Sequence, residues 1–319
     1  FKPEMGEENF EKVKQVSLES SVEMIGIPTE HPKREDVFEF QLKDINIIGK
    51  SENYPIGKKE HGADFLLSHR HLWLRSKKQT AALKIRHTVY YAICEYLNKN
   101  DFYRFDSPIL TPNASEGTTT LFEVPYFDMG SAFLSQSGQL YLEAGIMSLG
   151  RVYDFGPVFR AEKSKTRKHL TEFWMMDAEA AFVEHDENME IQEELIRYVI
   201  RIVIERNSKE LEILERDIEK LKKADAPFIR MTHREVIDML KKKGVEIDYL
   251  DDFGAPEEEM ITKDSDVPIF IERKKKETQG FSIIRTLKSI YFFIISGFSL
   301  FYNLFFYKKE QIYLYVFQS

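Results

Sequence analysis

From Gly156 to Phe182 the chain reads GPVFRAEKSKTRKHLTEFWMMDAEAAF, two apolar stretches separated by a run of charge. Val158 and Phe159 lead into Arg160, Ala161 and Glu162. A basic stretch follows through Lys168, and apolar residues return at Leu170, Phe173 and Met175 before Asp177, Glu179 and Phe182. The pattern predicts a strand, a charged hairpin loop and a second strand. A hairpin that only fills a core alternates apolar and polar side chains. Here an arginine, an aromatic ring and several carboxylates fall where both strands can line one surface. Fixed cations and acids around an aromatic platform suit a nucleoside triphosphate, with charge for the phosphates and a flat face for the base.

With 319 residues the chain can bury a large core and hold one big domain beside a smaller one. Its 31% charged and 43% hydrophobic residues are ordinary for a soluble cytoplasmic enzyme. The single cysteine, Cys94, excludes an internal disulfide and a cysteine-rich zinc site, and reads as a small apolar filler on a helix. No metal-ligating set is expected. Phe1 is not followed by a charged-then-apolar leader, so no secretory signal is expected. The net charge of −8 does not exclude a nucleic-acid partner, because phosphate contacts depend on local clusters. Lys163 to Lys168 forms one such cluster. Lys241 to Lys243 forms another, read as a solvated helix end beside Gly244.

Three regions are expected: 1–60, 61–275 and 276–319. In the first, a short helix over Glu8 to Val16 precedes alternating segments at Ser21 to Gly26 and at Phe38 to Leu42 running on to Ile48, too few strands for a closed β fold. In the second, a long helix is expected to open at His69, with Leu83, Val89, Ile93 and Leu97 on one face. It ends near Asn98, and an extended segment from Tyr103 to Leu110 contains Pro108. Glu187 to Lys223 reads as one long helical run, and Thr232 as the N-cap of a second helix reaching Lys243. Pro268 to Ile271 reads as a short buried strand. After Arg273 the composition turns to Phe, Ile, Tyr and Leu. Ser289 to Tyr307 carries no charge, a length and polarity that fit a membrane span. The preferred reading is that this tail is not native family sequence but the product of a frameshift, with a membrane segment as the alternative.

The hairpin resembles motif 2 of the class II aminoacyl-tRNA synthetases, and within the aspartyl/asparaginyl/lysyl subgroup it is most similar to the asparaginyl enzymes, truncated here at both ends. The helix, strand and Pro108 resemble motif 1, which implies a homodimer interface. The resemblance implies an α+β fold: an antiparallel catalytic sheet with flanking helices, preceded by a partial OB-fold anticodon-binding domain. It also implies roles for three ordered patches. Glu116, in Ser115-Glu116-Gly117, would lie beside the substrate ammonium, and so would Asp177. Gln139, in Ser135 to Glu143, would contact the amino acid. At Leu142 the aspartyl enzymes carry a lysine for the β-carboxylate; a leucine there suits a carboxamide and so points to L-asparagine. In motif 2, Arg160 would bind the α-phosphate and the attacking carboxylate, as the catalytic residue. Glu162 and His169 would lie near ATP, and Phe173 would stack on adenine. Lys163, Lys165, Thr166, Arg167 and Lys168 would meet the acceptor end of tRNA(Asn).

ATP with Mg²⁺ is the implied co-substrate, and the implied product is asparaginyl-tRNA. Motif 3, a glycine-rich strand and helix ending in an arginine on the γ-phosphate side, has no counterpart among the residues after Arg273. Resemblance is expected from about residue 8 to Arg273. An impaired ligase is therefore expected, with a non-catalytic nucleotide- or tRNA-binding remnant and an asparagine synthetase-like paralogue as alternatives.

Overall fold

Alternation and helical phase are enough to build most of the elements found in the computed structural model. It describes residues 5–33, 37–114, 120–161, 163, 170–249, 251, 253–262, 269–273, 290–294 and 313–317. The chain divides into two units, Phe1–Ser76 and Lys77–Ser319. In the first, α1 (Glu7–Lys14) precedes an antiparallel hairpin of β1 (Ser21–Glu30) and β2 (Phe38–Gly49), followed by α2 (Ala63–Ser68) and α3 (Arg70–Trp73). The ladder shifts register between Ile25 and Gly26. A Cβ on Gly26 would stand 2.3 Å from the Gln41 carbonyl oxygen, so this irregularity needs glycine.

The second unit opens with α4 (Lys77–Lys99), β3 (Tyr103–Arg104), β4 (Leu110–Thr111), β5 (Glu123–Pro125), β6 (Ser131–Leu134) and α5 (Gln139–Leu149). The hairpin strands β7 (Arg151–Phe159) and β8 (Glu172–Ala180) follow, then α6 (His185–Arg206), α7 (Ser208–Ile213) and α8 (Ile218–Lys223). The remaining elements are β9 (Ile229–Thr232), α9 (His233–Lys242), α10 (Ala255–Thr262), β10 (Ile269–Arg273), β11 (Ile290–Ile294) and β12 (Tyr313–Phe317). The central sheet has the order β11-β8-β7-β3; it is antiparallel except where β3 joins β7. A second sheet, β4-β6-β5, is antiparallel, and β12-β10-β9 is parallel.

The main core lies on one face of the β7–β8 hairpin. Tyr153, Phe155, Met176, Ala178 and Ala180 pack there against Ile85, Val89 and Ile93 of α4 and Leu195, Val199 and Ile200 of α6. On the opposite face Leu142 and Ile146 of α5 pack on Val152, with Phe105 and Ala181 beside them. A third cluster joins Val236, Ile237 and Leu240 of α9 to Ile261, Ile269 and Ile271. Cys94 is partly buried against the main core, as its filler reading requires.

Several expected elements are divided or shifted. The long helix does not open at His69: α3 ends at Trp73, and α4 begins at Lys77. Leu83 is 43% exposed, and Ile85 takes its place in the core. Six residues before Val89 is about a third of a turn out of phase, so Leu83 cannot share that face. The strand from Tyr103 to Leu110 is two short strands, with exposed Pro108 in neither. The run from Glu187 to Lys223 is three helices, interrupted at Asn207 and before Asp217, whose side chain caps α8 by accepting from Lys220 N–H. β8 ends at Ala180, and Phe182 lies past it, 80% exposed with φ +63°. Of the uncharged stretch from Ser289 to Tyr307, residues 290–294 are described, as a strand. Among the described residues no helix is long and apolar enough to cross a membrane.

Candidate active site

The face of the hairpin turned away from the main core carries three buried acids. Strand side chains alternate, so Val152, Asp154, Gly156 and Val158 of β7 share a face with Glu179, Asp177, Met175 and Phe173 of β8. The register pairs Asp154 with Asp177, Val152 with Glu179 and Val158 with Phe173. Asp154, Asp177 and Glu179 are 7%, 4% and 2% exposed, so three carboxyls lie buried on neighbouring positions of one sheet face.

The turn before α5 is built around them. Ser137 donates its hydroxyl to Asp177 Oδ2 at 2.8 Å, and Gly138 N–H donates to the same oxygen at 2.9 Å. Ser137 Oγ also accepts from Gln139 N–H at 3.1 Å. The hydroxyl thus relays between a helix-start N–H and a buried carboxylate, and each bond polarises the other. Asp177 does the work of an N-cap from a different element, satisfying an N–H that the first turn of α5 leaves open. A Cβ on Gly138 would stand 1.8 Å from Asp154 Oδ2 and 2.5 Å from Ser107 Oγ, so only glycine lets both aspartates close on this turn. One turn into α5, Gln139 Nε2 donates to Glu143 Oε1 at 3.3 Å.

Burial raises the titration of all three carboxyls. Asp177 is pushed up by desolvation and drawn back by its bonds from Ser137 and Gly138 and by the charge of Arg160. Asp154 is pushed up to about 7, first by desolvation and then by Asp177 opposite, while hydrogen bonds from Ser107 and the Asp177 backbone oppose the shift. Glu179 is pushed up to about 9 by desolvation and by the charges of Glu143 and Asp177. Its Oε2 is buried without a hydrogen-bond partner. Buried acids already pushed toward their protonated forms disfavour a further carboxylate, whereas an ammonium or an amide N–H can be accepted.

Arg160 follows β7 and closes the hairpin, its N–H donating to Thr171 O at 2.9 Å, and its charge reaches Asp177. Phe173, half-buried, stands on the same face of β8 four residues from Asp177, about 13 Å along the strand. Leu142 is fully buried under α5 against Ile146 and Val152. Lys163 is exposed. Glu116, Glu162, Lys165, Thr166, Arg167, Lys168 and His169 lie outside the described residues. The fold therefore brings Arg160, Gln139, Phe173 and Asp177 to one side of one hairpin. The sequence reading gave no individual role to Asp154, Glu143 or Glu179. Counting outward from the hairpin loop, Asp154 and Asp177 are equidistant from the pair Phe159–Glu172, and that symmetry was available in the sequence.

An antiparallel sheet backed by two long helices, with an acid-lined outer face and an arginine at the hairpin mouth, is the class II synthetase architecture. The family of class II tRNA synthetases for D, K and N matches residues 62–310, a span that continues past Arg273. The chain belongs to that family. It is 50% identical over 279 residues to the asparagine–tRNA ligase of Streptococcus pneumoniae, covering 85% of this chain and 62% of the relative. It is 47% identical over 274 residues to the asparagine–tRNA ligase of Desulforamulus reducens, covering 86% of this chain and 64% of the relative. The chain thus spans a little under two thirds of the length of these relatives. Among solved structures, it matches the asparaginyl-tRNA synthetase of Pyrococcus horikoshii complexed with asparaginyl-adenylate. That match has a TM-score of 0.77 at 40% identity and covers 84% of this chain and 62% of the other. The Entamoeba histolytica asparaginyl-tRNA synthetase in complex with the same adenylate matches with a TM-score of 0.71 at 28% identity, covering 85% and 63%.

Proposed function

We propose that this chain serves an asparagine–tRNA ligase: it binds L-asparagine and ATP, forms asparaginyl-adenylate and passes the acyl group to tRNA(Asn). The observation that carries the reading is the Asp177 carboxylate, buried at the start of α5 and within the field of Arg160, in a chain half identical to enzymes named for this reaction. The substrate ammonium would sit at Asp177, beside Gln139 and, by resemblance, Glu116. The adenine would lie toward Phe173. The roughly 13 Å between those two positions on β8 fits an aminoacyl-adenylate laid along the strand.

In the first step the asparagine carboxylate attacks the α-phosphorus of ATP, an O–P bond forms, and the bond to the pyrophosphate oxygen breaks. Arg160 holds both reacting oxyanions and offsets their repulsion. Glu162 and His169 would complete the ATP contacts. Mg²⁺ enters with the triphosphate as MgATP; among the described residues no group of three or more His, Cys, Asp or Glu is placed to hold a metal. In the second step a terminal adenosine hydroxyl of tRNA takes the acyl group and AMP leaves, with Lys163 and the basic loop through Lys168 along the acceptor end. Leu142 supplies no cation for a β-carboxylate, and the buried acids on the same face of the hairpin as Val152 disfavour one.

A homodimer through the Pro108 region is in keeping with the exposed Ile109 and Leu110 beside it. The hairpin of the first unit would belong to an OB-fold that reads the anticodon, and the enzyme would be cytoplasmic. Binding of an adenylate analogue is the direct test. Titration with asparaginol-adenylate, a non-hydrolysable analogue, should show saturable binding that Arg160→Ala weakens roughly 10- to 100-fold, the scale of a charged hydrogen bond to phosphate. No binding to the unaltered chain, or equal binding by Arg160→Ala, would overturn the reading.

A further inference from the structure

Asp154 is the buried acid for which the mechanism above has no use. It stands directly across the ladder from Asp177 and is 7% exposed. Opposed residues on one face of an antiparallel pair have their Cβ atoms about 5 Å apart. Its Oδ2 presses on the backbone of Gly138, at the place a Cβ would take, and Ser107 bounds it on the far side. Gly138 N–H is in turn bonded to Asp177 Oδ2 at 2.9 Å. Both carboxyls therefore meet at this one turn, Asp177 through a hydrogen bond and Asp154 through close packing against Gly138. The charged groups facing this pair are Glu179 from β8, Glu143 from α5, Asp106 from the segment after β3, and Arg160 at the end of β7. Arg160 acts on Asp177 and is the one cation among these described groups.

A site with this surplus of acid cannot keep every carboxyl ionised while it is empty. A ligand ammonium placed on Asp177 changes that balance, because a cation close to a carboxyl pair favours the fully ionised state. We propose that Asp154 is a positioning residue that holds a proton in the empty site and releases it to solvent when the ammonium of the amino acid docks against Asp177. Neutral Asp154 keeps Asp177 and the Ser137–Gly138 turn in place without ligand. Ionised Asp154 adds a second negative charge behind Asp177 once the ammonium is there to balance it. The exchange is conservative: one proton leaves the Asp154 carboxyl, one ammonium charge enters, and no bond to the ligand forms or breaks. The inference rests on the placement of the ammonium proposed above.

Calorimetric titration with asparaginol-adenylate, whose amine remains charged throughout, separates the two ideas. Run at pH 7 in buffers of different ionisation enthalpy, it counts protons released on binding. The unaltered chain should release roughly half a proton or more, and its affinity should rise about tenfold between pH 6 and pH 8, as expected for a group half protonated near pH 7 that must ionise on binding. Asp154→Asn, which keeps the shape of the neutral acid, should bind with no release from this position and a nearly flat affinity over the same range. Binding without proton release by the unaltered chain overturns the role of Asp154 and leaves the functional reading standing. So does undiminished release by Asp154→Asn, which would assign the proton to Glu179 or Glu143. Failure of the unaltered chain to bind at any pH overturns the functional reading and this inference with it.

Discussion

Asp154 shows how a fold sets the charge of a single residue. Its carboxyl titrates near 3.8 when exposed and at about 7 in the folded chain. A raised carboxyl binds its proton more tightly in the folded state, so protonation favours folding. That contribution is complete below about pH 4 and is lost progressively as pH rises to about 7. Asp154→Asn removes the penalty, so it should be close to the unaltered chain in stability at pH 4 and more stable at pH 8, by on the order of 4 kcal/mol. Thermal melts at the two pH values read this; equal melting at pH 8 would contradict it. At this scale the sequence was partly legible. Arg160, Phe173 and Asp177 were found because motif and residue type coincide. Asp154 was not, and Glu179 was read only as lining the shared surface, since the significance of both comes from burial, which a linear pattern does not display.

Helix α9 is the clearest case of an element written into its sequence. Thr232 accepts from Glu235 N–H, and the Glu235 carboxylate accepts from Thr232 N–H at 2.7 Å, a complete capping box. At the other end Gly244 takes φ +86°, and Val245 N–H reaches back to Leu240 O at 3.1 Å. Only glycine adopts that turn without strain, which stops the helix beside Lys241–Lys243 as its composition suggested. Thr232→Ala should cost about 1 kcal/mol in urea unfolding. No change there would mean that packing of Val236, Ile237 and Leu240 alone holds the helix. Helix ends lacking glycine or proline were harder to read. The chain turns between Trp73 and Lys77 with neither residue, and the divide at Asn207 was masked by apolar spacing that continues across it. Asn207 and Asp217 are both cap-forming types, so those breaks were readable from capping even where periodicity hid them.

At the scale of the whole molecule, the β7–β8 hairpin joins the main core of the second unit to the candidate site. One face is the floor of the main core, and the other carries acids beside α5, so the same two strands hold the fold together and set the electrostatics of the site. The α+β class and the antiparallel sheet were legible because β7 and β8 alternate cleanly. The parallel β12-β10-β9 sheet was not, since its partners come from distant parts of the chain. Under the proposed function this acid floor, with Leu142 in place of a cation, selects a carboxamide over a carboxylate. Competitive binding of asparaginol-adenylate against its aspartyl counterpart tests that claim directly. Repulsion of one buried carboxylate should favour the asparaginyl analogue by roughly 100-fold or more, and the preference should persist from pH 6 to pH 8. Equal affinity for the two, or a preference for the aspartyl analogue, would contradict the account.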